Sequence, residues 1–134
     1  MSLTFDSARL FNPDLTPEHQ EWRRSLRRFV DNEIAPYFDE WDEAGALPPE
    51  LWKKAADIGL LQMGFPEEFG GISDGIDIYH SMIANEELAR VGSGGGIAAS
   101  LMIHGIGLPP VANFATATVK QEIVPAVLCG DKRI

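Results

Sequence analysis

Three histidines, one cysteine, two adjacent acid pairs and a glycine run are the residues of this 134-residue chain whose types could do chemistry. Glu67–Glu68 and Glu86–Glu87 could in principle share acid and base roles. Neighbours in sequence project in different directions, so neither pair can flank one bond as the two carboxylates of a glycosidase do. At least one member of each pair is expected as solvated surface, which leaves room for Glu86 or Glu87 as a partly buried ion-pair acid. His19, His80 and His104 are too scattered along the chain to imply a metal triad, and no metal-ligand set is expected. His104 falls in an apolar run, where an imidazole has to find a hydrogen-bond partner, so it reads as a satisfied core histidine rather than a base. Cys129 has no Cys or His at ligand spacing and reads as a small buried hydrophobe. Ser93-Gly94-Gly95-Gly96 lacks both G-x-G-x-x-G spacing and a Gly-Lys-Ser/Thr ending. It reads as a connection whose glycines permit close helix packing. No catalytic residue can be assigned from these groups.

The elements that would position them are helical. Thr16-Pro17-Glu18 supplies a capping hydroxyl, a proline at the first helical position and an acid near the positive dipole end. Trp22, Leu26, Phe29, Val30, Ile34, Tyr37, Phe38 and Trp41 then recur as the stripe of an amphipathic helix of about seven turns. The stripe reads as core or interdomain packing, with Arg23, Arg24, Arg27 and Arg28 mostly off it. Pro36 removes a backbone donor and predicts a kink, with continuation to about Glu43. A second helix is expected from Pro49, burying Leu51, Trp52, Ala55 and Ile58 and ending at Gly59. Pro66 to Gly75 is a loop by its glycines and proline. A third helix follows over Asp77–Arg90. From Ile97 to Leu108 only Ser100 and His104 are polar, so this helix is expected to run buried through the centre. A last helix starts near Thr116 and carries Val119, Ile123, Val127 and Leu128, with Pro125 a local irregularity. The expected fold class is all-α, an antiparallel bundle of about five helices with a buried central apolar helix. Residues 1–14 read as a leader or extended segment and residues 15–134 as the domain.

Composition excludes several function classes. A net charge of −9 argues against nucleic acid as a partner, because phosphate binding needs a basic footprint. It argues equally against this domain being the main grip on a polyanionic cofactor. A single cysteine cannot form an internal disulfide, and the N-terminus lacks an apolar signal core, so a cytoplasmic location is expected. No run approaches the ~20 uninterrupted apolar residues a membrane span requires, so none is expected. Gly130 to Ile134 read as a helix exit leading toward a strand, so the chain is expected to be one helical domain of a larger enzyme.

An ordered series of short motifs carries a resemblance. Leu15-Thr16-Pro17-Glu18 leads through Ile34-Ala35-Pro36 to Glu40-Trp41-Asp42. Then come Gly59-Leu60, Pro66-Glu67-Glu68-Phe69-Gly70-Gly71, and Glu86-Glu87-Leu88-Ala89-Arg90. An apolar helix leading to a proline, Ala115-Thr116-Ala117-Thr118-Val119-Lys120 in the place of a Gly-Thr-x-x-Gln-Lys helix start, and Gly130-Asp131-Lys132 complete it. In this order the motifs resemble the N-terminal all-helical domain of flavin-dependent acyl-CoA dehydrogenases over nearly the whole chain. Ala115 stands where that family usually has Gly, Thr118 and Val119 replace a polar pair, and Gly94 to Gly96 is unusually glycine-rich.

The resemblance implies α,β-dehydrogenation of an acyl-CoA thioester by the full-length protein, with electrons passing to FAD. It implies that flavin and base are held by a middle β-domain and a C-terminal helical domain, so this chain alone is expected to bind no FAD and to be inactive. It also implies an electron-transfer acceptor protein as partner and a homo-oligomer, tetramer or dimer. The helical domain would contribute one wall of the acyl-chain slot from its apolar helix, which by position points to Ala98, Met102 and Ile106. Their i, i+4, i+8 spacing places them on one face. The alternatives are a flavin monooxygenase or nitroalkane oxidase of the same fold, and a stand-alone, non-catalytic helical interaction module.

Overall fold

The computed structural model of the protein describes Asp6, residues 12–92 and residues 96–134. Most of the expected leader, and the Ser93-Gly94-Gly95 connection, lie outside the described residues. The chain is all-α, as expected. Helix α1 (Pro17–Phe29) starts where the sequence signals it. Thr16 Oγ1 accepts the His19 amide at 3.3 Å, and His19 Nδ1 accepts the Thr16 amide at 3.0 Å. This is a reciprocal cap with histidine in the place more often held by Glu or Gln. A π-helical turn over Val30–Ile34 follows, with the Ala35 amide reaching back to the Val30 carbonyl. The widened turn and the break after it fall where Pro36 cannot donate, so the expected kink separates α1 from α2 (Phe38–Ala44).

Helix α3 (Glu50–Asp57) buries Leu51, Trp52, Ala55 and Ala56, while Ile58 is only half-buried. The loop after it turns back on itself through a parallel bridge between Met63 and Ile72, and among the described residues the chain forms no strand. Gly71 is required by close approach, because a Cβ there would overlap the Phe65 carbonyl. Helix α4 (Ile78–Leu88) is capped by Asp77, again with a histidine, His80, at the third position. A short 3₁₀ turn carries it on to Val91. Helices α5 (Gly96–Met102), α6 (His104–Phe114) and α7 (Ala117–Leu128) complete the chain. Thr116 Oγ1 caps α7 at the Val119 amide.

Two compact units can be distinguished. In the first (Met1–Leu47 with Asp77–Ile97), α1 packs on α4. His19 meets Asp77, Arg23 meets Glu87, and Asp31 meets Arg90, so residue numbers rise together along the pair. The two helices therefore run parallel. Short connections favour antiparallel neighbours, but here the chain passes through residues 48–76 before α4 begins. In the second unit (Pro48–Ile76 with Ala98–Ile134), Phe65, Phe69, Leu108, Val124, Val127 and Leu128 form one buried cluster against which Val111, Ala112 and Ile123 pack. Gly130 closes this unit, because a Cβ there would lie 2.7 Å from the Trp52 backbone.

The apolar run departs from expectation in length and burial. It does not stop at Leu108: with a local irregularity at Ile103 it continues to Phe114, a helix of 19 residues with mean hydropathy 1.3. That length and composition would suffice to cross a bilayer, which the expected 12-residue helix would not. Pro109 and Pro110 sit inside it. They cost the amide bonds to the Gly105 and Ile106 carbonyls, and both residues are exposed, so water can serve those carbonyls. Nor is the run buried all round. Ile97, Leu101, His104 and Leu108 form one buried stripe, while Ile103, Ile106 and Phe114 are exposed.

Candidate functional site

The only titratable group on the Gly96–Phe114 run is His104, which is buried. Its Nδ1 lies 3.1 Å from the Leu101 carbonyl and its Nε2 3.0 Å from the Leu61 carbonyl. Burial lowers its pKa, and the two carbonyls oppose this without overcoming it; the neutral ring can donate to only one of them at a time, and either bond holds it in the core. It anchors the buried stripe, and thereby fixes which face points away. Ala98 and Met102 are half-buried, and Ile106 is 75% exposed. All three lie on one helical face that carries no charge. Such a face can exclude water and hold an apolar chain; it can neither move a proton nor polarise a carbonyl.

The acids resolve as the sequence suggested for one of them. Glu67 and Glu68 are exposed, as is Glu86, but Glu87 is fully buried at 0% exposure. Arg27 holds it by Nε at 3.1 Å and Nη2 at 3.0 Å, Arg23 by Nη1 at 3.0 Å, and Arg90 lies 3.3 Å away. Burial alone would raise the Glu87 carboxyl; the hydrogen bonds from Arg27 and Arg23, with the charges of Arg27 and Arg90, outweigh it and hold it below the usual carboxylate range. Arg23, read from the sequence as off the buried stripe, is itself buried. A buried carboxylate needs its cations with it, and Arg23 and Arg27, i and i+4 on one face of α1, supply two of them. The network ties α1 to α4 and contains no group free to act on a substrate.

His19 and His80 are not scattered in space. His19 Nε2 lies 3.0 Å from both Asp77 oxygens, and His80 Nδ1 lies 2.9 Å from Asp77 Oδ1. The cap positions of α1 and α4 put them there, which only the pairing of those helices reveals. Cys129, expected buried, is exposed: it follows the buried pair Val127–Leu128 and turns outward, its thiol 3.2 Å from Asp131 Oδ2.

Most of the basic side chains among the described residues are engaged within the chain. Besides the arginines on Glu87, Arg24 and Arg28 face Glu21, Lys53 pairs with Asp131 and Lys132 with Glu122. Lys120 donates to the Asn113 carbonyl, and Arg133 lies over the Trp52 ring.

Comparison with known proteins places this geometry. The sequence pattern described as "Acyl-CoA dehydrogenase, N-terminal domain" matches residues 16–131. The mitochondrial long-chain specific acyl-CoA dehydrogenase of Rattus norvegicus is 34% identical over 114 residues, 84% of this chain and 25% of the rat enzyme. Among solved structures, a probable acyl-CoA dehydrogenase from Mycobacterium abscessus superposes with a TM-score of 0.78 at 38% identity, over 87% of this chain and 30% of that one. An acyl-CoA dehydrogenase from Bacillus anthracis, complexed with FAD, gives a TM-score of 0.72 at 31% identity, over 99% of this chain and 22% of that one. The chain thus spans about a quarter of the length of the rat relative. The chain belongs to the acyl-CoA dehydrogenase family, as its N-terminal domain.

Proposed function

We propose that this chain forms one wall of the acyl-chain slot in an enzyme that dehydrogenates acyl-CoA thioesters at the α,β bond. The observation that carries the reading is the uncharged, outward face of α5 and α6, held in place by a buried stripe on the opposite side. Its role is to bind and desolvate: Ala98, Met102 and Ile106 would cover the alkyl chain, each buried methylene contributing ~0.8 kcal/mol. On this reading the proton-abstracting base and the flavin belong to the rest of the protein. The exposed apolar side chains Ile103 and Phe114 fit burial against those further domains better than a lipid surface, because Leu101, His104 and Leu108 of the same run are committed to a protein core.

The test is flavin reduction in the complete protein under anaerobic conditions. Addition of straight-chain acyl-CoAs should bleach the oxidised flavin absorbance, and nitroethane should not. Bleaching by nitroethane alone would favour the nitroalkane oxidase reading, and no bleaching by any acyl-CoA would refute the proposal.

A further inference from the structure

We infer that His19, Asp77 and His80 form a binding site for a divalent first-row metal ion, Zn²⁺ in particular, which links the starts of α1 and α4. One ligand atom from each residue can be chosen so that all lie within 4.8 Å of one another. A tetrahedral zinc ion with 2.0–2.1 Å bonds holds its donors ~3.3 Å apart, so modest closure suffices. The donor set of two imidazoles and a carboxylate suits Zn²⁺ and its neighbours, and leaves the fourth position to water. Asp77 is half-exposed and opens the site to solvent, while the side chains of His19 and His80 are 5% and 11% exposed. Their rings lie with centroids 4.6 Å apart.

Local hydrogen bonding favours a cation here. His80 Nδ1 sits 2.9 Å from Asp77 Oδ1 and 3.2 Å from the Asp77 amide nitrogen. The carboxylate requires a proton on that nitrogen and the amide requires a lone pair, and one nitrogen cannot supply both. A metal ion takes the lone pairs of the imidazole and the carboxylate together, leaving the amide of exposed Asp77 to water. On His19 the ring proton moves from Nε2 to Nδ1, which then donates to Thr16 Oγ1 at 3.0 Å and gives up the amide of exposed Thr16 to water. The positive ends of α1 and α4 oppose a cation; the Asp77 carboxylate and the net charge of −9 offset them.

The experiment is equilibrium dialysis of the complete, tag-free protein against Zn²⁺, with Co²⁺ as a spectroscopic substitute. One equivalent of Zn²⁺ should bind, and Co²⁺ should give the intense visible absorption of tetrahedral coordination. His19→Gln, His80→Asn and Asp77→Asn each keep a hydrogen-bonding side chain but remove a ligand, so each should weaken Zn²⁺ binding by at least about tenfold to a hundredfold. Absence of stoichiometric binding, affinity unchanged in all three variants, or a pale octahedral Co²⁺ spectrum would overturn the inference. If a variant loses its helical circular dichroism, the Co²⁺ spectrum of the unaltered protein decides alone.

Discussion

Glu87→Ala is expected to destabilise the domain by ~3–5 kcal/mol, because it removes the buried carboxylate that Arg23, Arg27 and Arg90 share. Arg23 and Arg90 are buried with it, and each would be left with a half-exposed carboxylate, Glu86 and Asp31 respectively. The neighbouring Glu86→Ala removes a 2.7 Å contact to Arg23 from a side chain that is 40% exposed, and should cost only about 0–1 kcal/mol. Urea denaturation followed by helical circular dichroism measures both. Equal losses would mean that burial of Glu87 contributes nothing special.

The same carboxyl predicts an acid limb. Its pKa is depressed in the folded state, so its contribution is present above the ordinary glutamate value of about 4.3 and is lost as pH falls through the folded value. Stability measured below pH ~4 should fall more gently in Glu87→Ala than in the unaltered protein.

The second large effect separates the two sides of the apolar run. Leu101 is 0% exposed, and Leu101→Ala should cost ~2–5 kcal/mol through the lost burial and the cavity left behind. Ile106, 75% exposed, should lose no more than about 0.5 kcal/mol on truncation to Ala in the domain alone. In the complete enzyme the order should reverse for turnover, with Ile106→Ala changing acyl-CoA kinetics more than its stability. Thermal melts of the domain beside acyl-CoA kinetics of the complete enzyme provide the comparison.

These contrasts show which parts of the fold were legible in sequence. Thr16, Asp77 and Thr116 announce their helices because capping is local: a side-chain oxygen, an amide two or three residues on, and little else. Pro36 announces the break for the same reason. The burial of Arg23 was not legible, because an arginine on a helix reads as surface until its acid is known, and Glu87 lies 64 residues away. The meeting of His19 with His80 depended on the same pairing of α1 with α4. The continuation past Leu108 was hidden by Pro109-Pro110, whose cost falls on carbonyls that turn out to face water. The identity of the apolar helix was legible from composition, but the choice of a single buried stripe was not, since residues of nearly equal hydropathy occupy every face.

The most direct test of the account is the acyl-chain preference of Met102→Ala in the complete enzyme, profiled beside its melting temperature. The half-buried Met102 thioether fills volume that a longer chain would need. Its truncation should shift preference toward longer acyl-CoAs, by up to roughly fourfold in relative specificity for each newly accommodated methylene, or ~0.8 kcal/mol. An unchanged chain-length profile together with a stability loss of ~2–5 kcal/mol would show that Met102 packs inside the domain, and would contradict the assignment of this helix to the substrate wall.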